Sequence, residues 1–323
     1  MVPGHAVSRG EFELIARLVK AVPCRRPDVR VGPGDDAAVL APPAGLELVQ
    51  TIDTCLEGVH FPAGLDPADV GWRGLAVNLS DLAAMGAEPA WGLLSLALPA
   101  ADELWLDAFA AGVGELAAAT GLDLVGGDTV RGPLGVTFAL TGFVPPGQAL
   151  PRSGARPGDE IWVSGALGGG AAGLAAWRRG EREAAQPFLR PRPQLAEGCA
   201  LRGLASAAID VSDGLAQDLG HVLRASGVGG VVDLEALPLH PLARAAGLPE
   251  GLTMALSGGD DYALCFTVPA RARAALDSVS AGWAGPLARI GRIRAEAGLE
   301  WRRDGRPVPA PGAGWDHFGE QRQ

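Results

Sequence analysis

The chain has 323 residues, 48% of them hydrophobic, and its 27 basic and 37 acidic side chains give a net charge of −10. This length and hydrophobic content allow a substantial core and favour two domains over one, whereas the acidic balance argues against DNA or an anionic membrane as a partner. Four widely spaced cysteines without a Cys-x-x-Cys pair argue against a disulfide framework or a zinc site, and the lack of a signal-peptide pattern or a long apolar run predicts a cytoplasmic protein.

Strand-like and helix-like segments alternate through the first half of the chain. Asp66 followed by Pro67, and Asp102 further on, are typical helix starts, while Gly86 and Gly121 are typical helix ends. Apolar, β-compatible runs predict strands at 37–40, 46–52, 90–98, 122–125 and 134–144. The first two of these strands are spaced like a hairpin, which argues against a purely parallel sheet.

A connector rich in proline, glycine and arginine at 145–159 predicts a boundary between two domains, 1–145 and 146–323. Beyond it, strands are expected at 160–163, 207–211, 231–234, 262–268 and 287–293, and helices after the glycine-rich turn 165–170, at 193–204, at 215–225 and at 270–279. Both halves are therefore predicted to be α/β, each a mixed sheet layered with helices.

Six short acidic signatures recur at glycine turns, strand ends and helix edges. They are Gly34–Asp36, Thr51–Thr54, Asn78–Asp81, Gly126–Thr129, Asp210–Gly214 and Gly258–Asp261. Carboxylates on turns contribute little to a core, but they offer the oxygen ligands that Mg²⁺ requires when it is held against phosphates. Helical spacing places Asn78 and Asp81 together at the edge of a buried stripe, and Asp210 and Asp213 can face one cavity.

Lys20 is the only lysine of the chain, and it lies on a helix-like segment. A P-loop needs its lysine in a glycine-rich turn, a protein kinase needs one on a strand, and a Schiff-base enzyme needs one in its site, so all three classes are excluded. Metal ions and arginines must then neutralise any bound phosphate. The pattern indicates an enzyme that handles a polyphosphate through Mg²⁺.

Each of these signals also has a purely structural explanation, and the sequence leaves both open. Asp36 could simply favour a turn, Asp53 could cap the next element, and Asp213 could be the N-cap of the helix that follows it. An isolated histidine such as His60 is usually a packing residue. The turn at 165–170 could be a flexible connection or a phosphate cradle, and it has neither a lysine nor a dinucleotide-binding register.

In this order the motifs resemble the thiamine-phosphate kinase family, which is related to aminoimidazole ribonucleotide synthetase and selenophosphate synthetase. The matching stretches are 10–12, 14–17, 34–37, 53–54, 58–61, 76–89, 126–132, 152–155, 209–215, 255–262 and 315–318. The resemblance implies a two-domain aminoimidazole ribonucleotide synthetase-like fold. In it, 1–145 forms the metal-binding, ATP-binding and dimerisation domain, and 146–323 forms an α/β domain with a tail that contacts the substrate. One departure is Asp260, where family members commonly carry Glu.

The resemblance also implies the reaction and its residues. The γ-phosphoryl group of ATP is expected to pass to thiamine monophosphate, giving thiamine diphosphate in the last step of its biosynthesis, with several Mg²⁺ ions and in a homodimer formed through the N-terminal domains. The implied metal ligands are Asp36, Thr51, the Ile52 main chain, Asp53, Asp81, Asp128, Asp210 and Asp213, with Asp35 as an alternative to Asp36. The implied ATP contacts are Gly127, Asp128, Arg152 and Ser212, and the implied thiamine-phosphate contacts are His60, Asp260 and Trp315. No covalent nucleophile is expected, and Asp128, Arg152 and Asp213 are expected to act through charge and positioning.

Overall fold

The computed structural model describes residues 11–309, and within them the chain divides into two compact units. The first unit holds 11–79 and 89–143, and the second holds 80–88 and 144–309. The sequence placed all of 1–145 in one domain, whereas the short piece 80–88 packs with the second unit, where the main-chain N–H of Leu150 donates to the carbonyl oxygen of Met85. The functional roles assigned to the two domains stay predictions.

The first unit consists of a four-stranded sheet, its helices and a separate two-stranded sheet. The helices are α1 (Glu11–Ala21), α2 (Pro67–Ala84, whose end belongs to the second unit) and α3 (Glu103–Thr120), and the strands are β1 (Val29–Val31), β2 (Val39–Leu40), β3 (Glu47–Leu56), β4 (Glu88–Leu98), β5 (Asp123–Arg131) and β6 (Gly135–Val144). The larger sheet has the order β3-β6-β4-β5, with β4 and β5 parallel.

Two predictions about strands in this unit are wrong. The expected hairpin between 37–40 and 46–52 does not form, because β2 pairs antiparallel with β1 and β3 joins the larger sheet beside β6. Gly126 and Asp128 were expected at the end of a strand, but they lie in the middle of β5. Apolar runs mark where strands occur, but they do not determine where a strand ends or with which partner it pairs.

The boundaries of α3 follow from local signals in the sequence. Asp102 is the N-cap, with its Oδ1 accepting the main-chain N–H of Trp105 at 3.0 Å, and Gly121 ends the helix with a φ of 70°. The helix predicted to start after Asp102 and to end at Gly121 is therefore confirmed. Asp66 accepts the N–H of Ala68 at 3.0 Å in the same way, just before α2. No helix within 11–309 is long and apolar enough to cross a membrane.

One face of the four-stranded sheet, called here the outer face, is exposed and partly apolar. Along β4, Leu93 and Ser95 are exposed while Leu94 is buried, because successive side chains of a strand point to opposite faces. The hydroxyl groups of Thr54 in β3 and Thr137 in β6 lie 2.8 Å apart, which places alternate residues of β3 on this same face. Its large apolar side chains are 41–66% exposed and are Leu48, Ile52, Leu56, Leu93 and Val130.

The second unit is built on a seven-stranded mixed sheet with the order β13-β12-β9-β11-β7-β10-β8, in which β12 and β9 are parallel and the other pairs are antiparallel. The strands are β7 (Glu160–Ser164), β8 (Ala207–Asp210), β9 (Gly229–Asp233), β10 (Leu264–Val268), β11 (Leu287–Arg294), β12 (Gly298–Arg303) and β13 (Arg306–Val308). The helices are α4 (Gly169–Arg178), α5 (Gln186–Leu189), α6 (Leu195–Ala200), α7 (Leu215–Ser226), α8 (Pro241–Ala245), α9 (Leu248–Ser257) and α10 (Arg273–Ser280).

Hydrophobic cores lie on both faces of this sheet. Ile161 and Val163 of β7 pack in one core with residues of α7 and α9, and Trp162 packs in the other with Leu276 of α10. The predicted helix 193–204 is only α6, and α5, α8, α9, β12 and β13 were not predicted. The strand expected from residue 262 starts at 264, because Tyr262 has a φ of 49°, outside the extended region.

Candidate functional site

Asp53 is held by its main chain against α2. Its N–H donates to Oδ1 of Asn78 at 2.8 Å, and Nδ2 of Asn78 donates to the carbonyl oxygen of Gly74 at 3.0 Å. Asn78 is fully buried, whereas Asp53 is exposed. Asn78 was predicted to lie beside Asp81 at the edge of a buried stripe. Its side-chain amide anchors β3 to α2, so the strand that carries Asp53 is fixed against the helix.

The remaining predicted site residues on and around β3 are at the surface. Asp36 is exposed in a turn, where its N–H donates to Oδ1 of Asp35 at 2.9 Å. Thr51 is half-buried and Ile52 is 66% exposed. His60 follows β3 in a tight turn and is half-buried, and its Nδ1 accepts the N–H of Leu56 at 3.0 Å. This bond gives His60 a local structural role beside any contact with a ligand.

Asp128 lies on β5, at the sheet edge opposite to β3. It is exposed and in register with Ser95 on the outer face, while Asp53 neighbours Thr54 and so points to the other face. Three strand spacings, or about 14 Å, separate the two edge strands. A Cβ on Gly127 would lie 1.9 Å from the carbonyl oxygen of Leu94, so the glycine is needed for close packing on β4. Within this unit, the predicted ligands Asp53 and Asp128 are therefore not adjacent.

The second unit brings three aspartates together around the turn after β8. Asp210 is 4% exposed, and its Oδ2 accepts the hydroxyl group of Ser80, which belongs to the short piece 80–88 together with the half-buried Asp81. Oδ2 of Asp218 accepts the N–H groups of Ser212 at 3.1 Å and Asp213 at 3.0 Å. The buried carboxyl group of Asp218 thus anchors the turn that carries the predicted ligands.

Asp218 is an unusual carboxyl group for a helix. Burial, followed by the negative charges of Asp210 and Asp213, raises its pKa to about 8. A cation would relieve the repulsion in this group of acids. Within 11–309, however, no group of three or more His, Cys, Asp or Glu side chains is arranged so that it could hold a metal ion.

Asp213 is not the N-cap of α7. That position belongs to Gly214, and no side chain caps the helix there. Oδ2 of Asp213 instead accepts the side-chain amide of Gln217 at 3.1 Å. The structure therefore removes the capping explanation that the sequence left open for this residue.

Arg152 is held at the C-terminal end of α7, the helix that follows Asp213. The main-chain carbonyl oxygen of Arg152 accepts the hydroxyl group of Ser226 at the end of α7. Burial lowers the pKa of His221 in the same helix, and the charges of Arg224 and Arg152 lower it further, while Asp213 acts in the opposite direction. The charges of Arg152 and Asp213 thus both act on His221.

Asp260 lies in the loop after α9, beside the turn that carries Asp213. Its N–H donates to the carbonyl oxygen of Ser212 at 2.8 Å, and its Oδ1 accepts the hydroxyl group of Tyr262 at 3.0 Å. The predicted site residues Asp210, Ser212, Asp213 and Asp260 are therefore neighbours through main-chain bonds. Trp315 lies outside the described residues.

Family comparisons agree with this arrangement of two α/β units. The chain matches the AIR synthase related protein, N-terminal domain, over residues 34–144 and the AIR synthase related protein, C-terminal domain, over residues 156–302. It is 49% identical over 320 residues to the thiamine-monophosphate kinase of Salmonella typhimurium (strain LT2), which covers 96% of this chain and 98% of that protein. The chain belongs to the thiamine-monophosphate kinase family.

Solved structures support this family assignment. The crystal structure of the thiamine-monophosphate kinase from Stenotrophomonas maltophilia K279a superposes with a TM-score of 0.85 at 45% identity and covers 93% of this chain and 98% of its own. The structure of AaThiL complexed with AMPPCP and TMP gives a TM-score of 0.74 at 30% identity and covers 98% and 100%. The two-domain fold that the resemblance implied is confirmed.

Three side chains that hold the acidic turns of this chain in place were not among the predicted site residues. They are Ser80, Asp218 and Asp261. Asp218 carried a signal, because it lies on the apolar stripe of α7 formed by Leu215, Leu219 and Val222, where a carboxylate is out of place. Ser80 and Asp261 lie within two of the acidic signatures, Asn78–Asp81 and Gly258–Asp261, but nothing in the sequence distinguished their side chains from those of their neighbours.

Proposed function

We propose that this chain transfers the γ-phosphoryl group of ATP to the phosphate of thiamine monophosphate, with thiamine diphosphate and ADP as products. The observation that carries the proposal is the likeness, over nearly the whole chain, to thiamine-monophosphate kinases, among them AaThiL in its complex with AMPPCP and TMP. The absence of any lysine besides Lys20 supports a site that works through metal ions and arginine.

We propose that Mg²⁺ binds at the acidic turns because of the chemistry of their side chains, although within 11–309 no three of these side chains already surround a common point. The oxygen ligands of the predicted set suit a hard cation, and the mutual repulsion of Asp210, Asp213 and Asp218 favours one. The residues proposed to hold Mg²⁺ are Asp36, Thr51, Ile52, Asp53, Asp81, Asp128, Asp210 and Asp213. When bound, Mg²⁺ supplies positive charge that offsets the charge of the reacting phosphates.

The chain's own groups bind and align the two substrates in this proposal. Arg152 faces the nucleotide phosphates together with the main chain of Gly127 and the Ser212 side chain, while His60, Asp260 and Trp315 contact thiamine monophosphate. The acceptor phosphate is largely ionised at neutral pH, so no side chain needs to act as a strong base. In-line attack by that phosphate requires alignment and charge neutralisation and no covalent enzyme intermediate.

We also propose that the protein is a homodimer formed through the outer face. Exposed leucine, isoleucine and valine side chains form an apolar surface there, which is unusual for a surface left in contact with water. A second copy covers that surface, and because Asp128 shares this face, the interface lies beside a proposed metal ligand. The cytoplasmic location stays a prediction.

A coupled assay tests the proposed reaction. Purified protein is incubated with ATP, Mg²⁺ and thiamine monophosphate, and thiamine diphosphate and ADP are quantified together. Equal amounts of the two products are expected, with none in EDTA. Thiamine and a panel of other phosphorylated small molecules serve as controls. ADP formation without thiamine diphosphate, or a clear preference for another acceptor, would contradict the proposal.

A further inference from the structure

Asp261 caps a helix that begins far away in the sequence. Its Oδ2 accepts the N–H of Gly168 at 2.7 Å and its Oδ1 accepts the N–H of Gly170 at 3.1 Å, so both oxygens bind the first turn of α4. Gly168, the N-cap of α4, has no side chain for this purpose. Asp261 is half-buried. The sequence offered the turn at 165–170 as a possible phosphate cradle. Its main-chain N–H groups instead bind the side chain of Asp261.

The same first turn of α4 also supports the main chain of Asp260. A Cβ added to Gly170 would lie 2.4 Å from the Asp260 carbonyl oxygen, so the helix and the loop are in direct contact. Asp260 and Tyr262 have φ values of 63° and 49°, in the left-handed region that side chains with a Cβ rarely occupy. Such a conformation persists only where surrounding contacts impose it.

The loop is held from its other side by the acidic turn. The N–H of Asp260 donates to Ser212 and the N–H of Tyr262 donates to Val211, each at 2.8 Å. Asp261 is the residue between these two, and its side chain binds in the opposite direction, to α4. The loop is therefore held between α4 and the 210–214 turn, and Asp260 contacts both.

We propose that Asp261 is a positioning residue that fixes the direction of the Asp260 carboxylate toward thiamine monophosphate. This inference rests on the proposed function, in which Asp260 contacts that substrate. Without the Asp261 carboxylate, α4 loses its cap. Asp260 and Tyr262 then lose the hydrogen bonds that hold their loop to α4. Asp260 then samples other directions, and the binding of thiamine monophosphate weakens while the binding of ATP is retained.

A matched pair of variants separates this role from simple helix capping. Asp261→Ala removes the cap of α4, and Asp102→Ala removes the cap of α3 in the first unit. Both variants are expected to lower the melting temperature, but only Asp261→Ala is expected to raise the Kd for thiamine monophosphate, measured by calorimetry, by about ten-fold. The KM for ATP is expected to change less than two-fold. Equal thiamine monophosphate binding in wild type and Asp261→Ala, or equal losses for both substrates, overturns the proposal.

A double-mutant cycle tests whether Asp261 acts through Asp260. If it does, Asp261→Ala adds little to the loss caused by Asp260→Ala, since coupled residues are not additive. Fully additive losses overturn the proposal. Should Asp261→Ala fail to fold, Asp261→Asn replaces it throughout, because it removes one of the two acceptor oxygens and places an amide donor against an N–H group of α4. Wild-type affinity for thiamine monophosphate in that variant likewise overturns the proposal.

Amide hydrogen exchange separates this proposal from the proposed function. Faster exchange across 168–170 and 258–262 is expected in the Asp261 variants, and unchanged exchange there overturns the positioning role. If the wild-type protein does not bind thiamine monophosphate at all, the proposed function fails, and the exchange data alone then decide whether Asp261 positions the loop.

Discussion

The side chain of Asp218 accepts the main-chain N–H of Asp213 at 3.0 Å, and the same oxygen, Oδ2, accepts the N–H of Ser212. A buried carboxylate in the first part of α7 thereby shapes the turn that carries a proposed metal ligand. Since a single oxygen makes both bonds, a carboxamide can replace the carboxylate without loss of an acceptor.

Substitutions of Asp218 are expected to distinguish its hydrogen bonds to the turn from any effect of its charge. Asp218→Asn should keep the fold and most of the turnover, because one amide oxygen accepts both N–H groups. Asp218→Ala leaves those partly buried donors without this acceptor and should lower the free energy of unfolding by about 1–3 kcal/mol. Urea denaturation and steady-state rates check both variants. Loss of activity in a stable Asp218→Asn protein would instead indicate that the charge itself binds a cation.

Asp53→Asn and Asp128→Asn are each expected to reduce turnover by about 100-fold or more, the scale of losing electrostatic stabilisation of a transition state. Both residues are exposed, so the melting temperature should not change. Activity is measured across a Mg²⁺ titration, with Glu181→Gln as a control, since Glu181 is exposed and pairs with Arg179 on the surface. Near-normal turnover with an unchanged Mg²⁺ dependence would remove the residue from the metal set.

The dimer proposal predicts that a charge on the outer face separates the subunits. Leu93→Glu places a carboxylate in the middle of that face and should convert a dimer of twice the 33.0 kDa chain mass into a monomer. Leu104→Glu is the control, because Leu104 is 83% exposed on α3 and away from the sheet. Light scattering coupled to size exclusion gives both masses. A dimeric Leu93→Glu protein would place the interface elsewhere.

The sequence predicted those features that depend on local signals. The bounds of α3 followed from Asp102 and Gly121, and the acidic turn after β8 followed from its position between a strand and a helix. Strand pairing could not be read in this way, because the partner of β2 is set by contacts that no local pattern encodes. The same holds for Asp261, whose hydrogen-bond partners lie more than 90 residues away in the sequence.

The structure changes what is expected of Asp213. Because Gly214 occupies the N-cap position of α7, Asp213→Ser and Asp213→Ala should have similar stabilities, whereas loss of a real N-cap costs about 0.5–2 kcal/mol. Both should lose most activity, since both remove the negative charge beside Asp210. Thermal melts and steady-state rates on the two variants suffice. Near-normal turnover in both would show that the metal site forms without Asp213.

The buried carboxyl group of Asp261 predicts a pH dependence of stability with a definite sign. Burial, together with the charge of Asp260, raises its pKa from 3.8 to about 7, although the N–H groups of Gly168 and Gly170 oppose the rise. Between these values the folded protein holds a proton that the unfolded chain has released. Asp261 therefore lowers the free energy of unfolding as the pH rises from about 4 to about 7, by at most about 1.4 kcal/mol per pH unit.

Asp261→Asn cannot titrate, so the difference in free energy of unfolding between this variant and wild type should move in favour of the variant over that window and stay level above it. Urea denaturation at fixed ionic strength, without Mg²⁺ or nucleotide, measures the difference at each pH. Asp218→Asn is the comparison, because the pKa of Asp218 is raised to about 8 by burial and by Asp210. Its window should extend about one pH unit higher. A difference that does not vary with pH would mean that the Asp261 carboxyl group is charged in the folded protein, with the amides of α4 stabilising the anion more than burial opposes it.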